Sequence, residues 1–298
     1  MKSFASRYGL RRPDSFARRF VAGETVADAV AAVRPIAAAG ATHTLAYLGE
    51  SIASLAEADA ATRACIAVLN EIAAIPSDRN VSLKLTQLGL TVDRATCVDN
   101  LRRVLDPATA QDFFVCIDME DSRYTQVTLD VFETLWQQGY RNTGVVLQSY
   151  LARSTDDARR MNALGARVRL VKGAFAEPRR VAYRSKTQID RAFIEIMELL
   201  LTQGTFPAIA THDQALIEAT KALAAARGIP PDRFEFQMLY GVRRDLQSSL
   251  TRQGYKVRVY IPFGRAWFPY VMSRLGQRPS EVAAIFRGLV LNLSLIHI

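Results

Sequence analysis

Two cations close one short apolar segment of this chain: Arg169 and Lys172 stand in VRLVKGAF, residues 168–175. A strand bounded by apolar neighbours is buried on both faces, and an isolated charge there is unfavourable unless something pairs with it. The two cations therefore point to an anionic or electron-rich ligand. Other apolar runs end in the same way. VSLKLT (81–86) puts Ser82, Lys84 and Thr86 on one face and Leu83 and Leu85 on the other, so Lys84 is expected to face inward. FFVCID (113–118) ends in Asp118, with Glu120 and Asp121 close behind; TGVVLQ (143–148) ends in Gln148; FPAIATH (206–212) ends in Thr211 and His212. Gln237 sits in FEFQML (234–239), and Arg258 shares a face with Tyr260 in KVRVYI (256–261). Each residue has a plain structural explanation: Asp118 or Asp121 as a helix cap, His212 as a hydrogen-bonded structural histidine, Gln148 on a neighbouring backbone group. Their recurrence at one end of successive segments favours a shared site.

Several chemistries lack support. The chain has three histidines, which argues against a multi-histidine metal centre, and no metal is expected. Paired glycosidase carboxylates need separation, whereas the obvious acidic cluster is local. Neither a GxSxG elbow nor a P-loop occurs. What remains is a cavity with cations, a glutamine and aromatics. It suits a large polar cofactor with a planar ring that carries the chemistry while the protein positions and polarises it.

The elements that must position these residues are eight short apolar runs, the seven beginning at residues 42, 81, 113, 143, 167, 206 and 256 and FEFQML, separated by helical patterns. Val127, Val131, Leu135 and Trp136 fall at helical spacing before Gly139. Ser154 and Thr155 are expected to cap a helix ending at Gly165, and Asp213 a helix over 214–226 ending at Gly228. Eight strands alternating with helices over roughly 220 residues fit an α/β fold, a TIM-like (β/α)8 barrel, within the usual ~250-residue size. An open doubly wound sheet would show a glycine fingerprint after its first strand; here that strand runs into Leu48-Gly49-Glu50. In a barrel the site forms at the C-terminal strand ends, where these polar residues stand. Residues 1–40 read as short helices, one opened by Pro13 and Asp14 and the last closed by Gly40; 41–292 read as the barrel. Leu293–Ile298 reads as a translated sequencing-library adaptor, so His297 carries no functional weight.

Composition is that of an ordinary globular chain with ample core, fitting one large α/β domain as well as two small ones: 298 residues, 49% hydrophobic and 22% charged. No apolar run approaches the ~20 residues needed to span a bilayer. The basic N-terminus lacks a signal-peptide core, and Cys65, Cys97 and Cys116 are scattered and odd in number, which fits reduced thiols in the cytoplasm. The net charge of +9 is spread out, densest at Arg7, Arg11, Arg12, Arg18 and Arg19, with no nucleic-acid-binding motif beside it. A solvated basic surface is the simple explanation, and attraction to an anionic membrane surface the functional one.

VSLKLTQLG, IDMED, VVLQSYL, VRLVKGAF, ATHD, FEFQMLYGVR and VRVYIPFGRAWFPYVMSRL, in this order and spacing from about Thr42 to Val290, resemble the bacterial single-function proline dehydrogenases. The resemblance implies a distorted eight-stranded barrel that binds FAD and oxidises L-proline to 1-pyrroline-5-carboxylate by hydride transfer to the flavin N5. It also implies a membrane quinone as electron acceptor, hence peripheral contact with the inner face of the cell membrane. Carried over, Arg169 sits near N5; Val171, Lys172, Gly173 and Ala174 line the cofactor; Gln148 bonds the flavin pyrimidine; Thr211, His212 and Gln237 hold other parts of FAD. Lys84 and Asp118 form the floor of the proline site, and Ala174, Leu239, Tyr260 and Tyr270 shape it.

The chain departs from the family pattern on the last barrel helix. Two consecutive arginines that clamp the proline carboxylate, and a glutamate one turn on, are matched by Ser273, Arg274 and Gln277. One arginine with a serine hydroxyl replaces a doubly charged clamp, at a loss of ~1.5–3 kcal/mol, about one to two decades in affinity. Phe175 replaces a tyrosine and Ala46 an aspartate. The expectation is proline oxidation with weakened substrate affinity. Retained Tyr260 favours proline over hydroxyproline. The alternatives are a flavin-dependent dehydrogenase of another small secondary amine or imino acid, or a flavin-binding homologue impaired in catalysis.

Overall fold

The computed structural model describes Leu10, residues 16–49 and residues 52–277. The expected helix start at Pro13 and Asp14, the arginines at 7, 11 and 12, and the tail 293–298 lie outside these residues. Eight parallel strands close a barrel in chain order: β1 (Thr42–Tyr47), β2 (Asn80–Leu83), β3 (Phe114–Ile117), β4 (Thr143–Gln148), β5 (Arg167–Val171), β6 (Ala208–Ala210), β7 (Glu235–Leu239) and β8 (Val257–Phe263). The last strand returns to the first over six residue pairs, Thr42 with Arg258 through Tyr47 with Phe263. Helices alternate with them: α1 (Val26–Ala38) before β1, then α2 (Leu55–Ala73), α3 (Arg94–Ala110), α4 (Ser122–Gln137), α5 (Ser154–Ala163), α6 (Lys186–Gln203), α7 (Gln214–Ala226), α8 (Arg244–Arg252) and α9 (Trp267–Gln277).

The helices start where short polar side chains satisfy the first turn. Asp121 accepts from Arg123 N at the start of α4, Ser185 from Gln188 N at α6 and Asp213 from Ala215 N at α7. Asp213 and the span 214–226 match the sequence expectation. Ser154 does not: Arg153 holds the cap position of α5 without a side-chain bond, and the Ser154 hydroxyl donates to the Gln148 carbonyl at 2.6 Å. The strand end takes that hydroxyl as a second donor to a carbonyl that also accepts from Leu151 N at 3.0 Å, using its second lone pair. The run 81–86 is also not one strand. β2 stops at Leu83, and Leu85–Leu88 forms a 3-10 turn. The Gln87 side chain accepts from Lys84 N at 3.2 Å, taking the donor that a further rung of the ladder would need.

Strand alternation sorts side chains between two environments. Outward residues such as Val115, Ile117, Leu170, Ile209, Phe236 and Ile261 are fully buried and join Leu101, Leu105, Phe132, Leu135, Phe193 and Ile196 of the helices in one core. Each contributes about 1.5–3 kcal/mol by leaving water. The inward faces carry polar groups in layers. At the N-terminal end of the barrel, Arg258 binds Glu235 at 3.0 Å and Asp78 at 2.5 Å. Arg167 stacks between Phe114 and Phe206, at 4.2 and 4.6 Å from their ring centres. Tyr260 therefore shares a strand face with Arg258, as expected, but belongs to the layer above it. Among the described residues, no helix is long and apolar enough to cross a membrane.

Candidate active site

Asp118 is the centre of the upper layer. Its backbone N–H donates to the Leu83 carbonyl at 2.9 Å, which fixes the acid just beyond β3. Its carboxylate gathers groups from across the barrel. Arg169 Nη1 donates to Oδ1 at 2.7 Å, Tyr260 Oη donates to Oδ2 at 2.7 Å, and Lys84 Nζ lies 3.4 Å from Oδ2. Arg169 also donates from Nη2 to Ser82 Oγ at 2.9 Å, and its guanidinium lies 5.4 Å from the centre of the Tyr260 ring. Residues from strands that are not neighbours thus meet in one cluster, which only a closed barrel permits.

The charges follow from this packing. Burial by itself would raise the Asp118 pKa, but Lys84, Arg169 and the Tyr260 hydroxyl outweigh it and hold the carboxyl below its ordinary range. Burial, then the Asp118 charge, then nearby Tyr270 push Tyr260 well above the usual phenol value. The cluster is ionised as two cations around one anion, net positive, with a neutral phenol.

Gln148 is buried at the end of β4, and its Nε2 donates to the Glu120 carbonyl at 2.9 Å. With the amide nitrogen committed there, Oε1 is its acceptor end, and the residue stands two rungs beyond Arg169 in the register of β4 with β5. The Glu120 carboxylate accepts from Thr86 Oγ1 at 2.7 Å and Thr86 N at 3.2 Å, tying the loop that carries Lys84 to the loop after Asp118. Burial raises the Glu120 pKa despite these bonds. His212 Nε2 accepts from Leu239 N at 2.9 Å, so that nitrogen carries no proton and the ring joins the ends of β6 and β7. Thr211 is buried and its Oγ1 accepts from Asp213 N at 3.1 Å. Gln237 lies deeper in the bore, its Nε2 donating to Glu235 at 2.6 Å.

Arg169 and Lys172 both find carboxylates within the chain. Arg169 turns inward to Asp118. Lys172, one step past β5, bonds Asp190 of α6 at 2.6 Å and Asp213, the cap of α7, at 2.7 Å. Its side chain is thereby held toward the helices, leaving its backbone at the mouth. Hydrogen bonds from Lys172 and the charges around it bring Asp213 down to about 2 despite its partial burial. Val171 stands beside Gln148 in the ladder; Ala174 and Phe175 are exposed at the mouth; Leu239 pairs in register with Tyr260. Tyr270 packs against the Trp267 cluster on α9. Ser273, Arg274 and Gln277 fall in the last turns of α9, and their side chains lie outside the described residues.

The structure thus brings Lys84, Asp118, Arg169 and Tyr260 into one cluster, with Gln148 beside it, and keeps Gln237 and the Lys172 side chain apart from it. The sequence reading missed the Glu120–Thr86 bond, the part of Ser82, and Glu177, which is 5% exposed and reaches Ser122. Asp190 carried a local signal, four residues after Lys186, whose ammonium it also binds.

The proline dehydrogenase family model matches residues 29–278. Proline dehydrogenase 1 of Bacillus subtilis subsp. natto is 39% identical over 290 residues, covering 97% of this chain and 95% of that protein. Proline dehydrogenase of Deinococcus radiodurans is 38% identical over 280 residues, covering 93% of this chain and 90% of its own length. Among solved structures, proline utilization A (PutA) from Bdellovibrio bacteriovorus superposes with a TM-score of 0.83 at 27% identity. That match covers 89% of this chain and 33% of the PutA chain, so this chain spans about a third of that longer protein.

Proposed function

We propose that this chain, which belongs to the proline dehydrogenase family, oxidises L-proline to 1-pyrroline-5-carboxylate with FAD and passes the electrons to a quinone. The observation that carries this reading is the single carboxylate of Asp118 held between Arg169, Tyr260 and Lys84 at the C-terminal mouth of the barrel.

The residues at the mouth fit a flavin. Its pyrimidine edge alternates C=O, N–H and C=O, and the arginine donors of Arg169 and amide acceptor of Gln148, two rungs apart on β5 and β4, suit such an edge. Gly173, at φ +104°, has the Tyr150 ring where a side chain would stand, so the chain beside the cofactor is bare backbone. Val171, the backbone of Lys172 and Gly173, Ala174, Thr211 and His212 complete the proposed contacts, whereas Gln237, turned to Glu235 deeper in the bore, takes no part. When bound, FAD supplies the acceptor for the hydride leaving the carbon next to the proline nitrogen.

Arg169 sets a fixed positive charge where negative charge develops, preorganised by Asp118 and Ser82. Lys84 and Asp118 form the floor of the substrate site, with Ala174, Leu239, Tyr260 and Tyr270 around it. Arg274 holds the carboxylate with help from Ser273. Asp118 stays ionised but already accepts from Arg169 and Tyr260, and His212 Nε2 is engaged by Leu239. Neither is a ready base, so proline binds as the neutral amine and its proton leaves to water. Peripheral contact with the inner face of the cell membrane brings the mouth to the quinone. A second reading, oxidation of a different small secondary amine, follows from Ser273 and Gln277.

An anaerobic visible spectrum before and after L-proline tests the proposal. Flavin absorbance that bleaches on addition is the expected result. Flavin that stays oxidised with proline but bleaches with another imino acid selects the second reading, and protein that takes up no FAD on reconstitution refutes both.

A further inference from the structure

The segment from Gly173 to Ser185, between β5 and α6, is a strap tied to its neighbours at both ends. Near its start, Tyr150 N donates to the Lys172 carbonyl at 2.9 Å and the Tyr150 ring packs against Gly173. Near its end, Ala152 N donates to Val181 O at 3.0 Å and Tyr183 N to Tyr150 O at 2.8 Å. Between these ties residues 174–180 form an arc, held also by Arg184 Nη2 donating to the Glu177 carbonyl, and carrying exposed Ala174, Phe175, Arg179 and Arg180.

One residue of the arc is buried. Glu177 is 5% exposed, and its carboxylate points away from solvent to the first residue of α4. Ser122 N donates to Oε1 at 2.7 Å, Ser122 Oγ donates to Oε2, and Tyr150 Oη lies 3.4 Å from Oε1. A carboxylate suits this place, because the first amides of a helix have no partner within it and the helix dipole favours negative charge there. A carboxylate buried in a surface loop is otherwise unfavourable, so its burial needs these donors. Ser122 follows Asp118 by four residues, so the bond links the loop behind the central acid to the arc across the mouth.

We propose that Glu177 is a positioning residue that pins this strap over the barrel mouth and sets Ala174 and Phe175 relative to Asp118. The inference rests on the proline dehydrogenase reading and deepens it, since the strap then forms part of the proline pocket. Without the pin, residues 174–180 lift, and substrate binding weakens more than turnover does.

Limited trypsin digestion of the full chain reads the pin directly, because Arg179 and Arg180 flank it and need neither FAD nor proline to be cut. Glu177→Ala is expected to speed nicking at these arginines about tenfold. Glu177→Gln, which keeps an acceptor for Ser122, restores most of the protection. Ser122→Ala removes one hydroxyl and falls between. In steady-state assays Glu177→Ala raises KM for L-proline several-fold with a smaller change in kcat. Parent-like nicking in Glu177→Ala overturns the proposal, as does faster nicking with unchanged KM. If Glu177→Ala is cut throughout the chain, the residue stabilises the whole fold, and parent-like nicking of Ser122→Ala then refutes the pin. Protein with a protected strap that never reduces flavin with proline sinks the proline reading instead, since protection does not depend on that reaction.

Discussion

Replacing Asp118 with asparagine keeps the shape of the side chain but removes the negative charge from between two cations. Arg169 is 6% exposed and Asp118 12%, so this pair is screened little by water. Breaking a buried pair by neutralising one partner destabilises by about 3–5 kcal/mol, because the other charge stays buried without compensation. Lys84, a third exposed and 3.4 Å away, adds less than about 1 kcal/mol. Asp118→Asn should therefore lower the unfolding free energy by about 3 kcal/mol at neutral pH, after allowing for the bonds that the amide oxygen keeps. Adding Arg169→Met, which removes the stranded charge, should recover at least half of that loss.

The pH dependence has a definite sign. The folded pKa of Asp118 lies below its unfolded value, so its contribution is full above the unfolded value, near 4. It is lost as pH falls through the lower, folded pKa, and the gap between the parent and Asp118→Asn should narrow below about pH 4. Urea unfolding followed by circular dichroism at pH 7 and at several acid values measures both effects. An Asp118→Asn protein as stable as the parent at pH 7, or a double variant no better than the single, would refute the view that the carboxylate holds Arg169.

Two other changes probe other parts of the molecule. Asp213→Asn keeps a good helix cap but loses the charge paired with Lys172 and Lys186; it should destabilise by about 1–2 kcal/mol at pH 7. Because the folded pKa is lowered to about 2, that difference should fade as pH drops from about 4 toward 2, which thermal unfolding across this range will show. Ser273→Arg supplies the second arginine of the family pattern and should lower KM for L-proline by about one to two decades with little change in kcat; an unchanged KM would mean that Arg274 alone saturates the carboxylate.

The barrel was legible because its strands are short apolar runs bounded by turn residues, and their spacing leaves room for one helix each. Polar residues at the strand ends also showed, since period-2 alternation makes Lys84, Asp118 and Arg169 conspicuous among apolar neighbours. Local competition was harder to read. Ser154 looks like a cap in sequence, but its hydroxyl goes to the Gln148 carbonyl, and Gln87 stops β2 before Thr86 by taking the Lys84 amide. Both outcomes depend on which backbone groups the paired strand ends bring within reach of the side chain.

The chain's own pattern therefore determined the barrel, its strand order and the family to which it belongs, because apolar periodicity and linked motifs are written in consecutive residues. Only the tertiary structure decided which charges meet. Arg169 and Lys172 are three residues apart, yet one binds Asp118 across the bore and the other Asp190 and Asp213 among the helices. Strand alternation sends them to opposite sides of the wall, and the closure of the sheet brings Asp118 within reach of the inward one. Glu177 had no local signal at all, since its partner Ser122 lies 55 residues away and the two meet only where the loops after β3 and β5 cross the same barrel mouth.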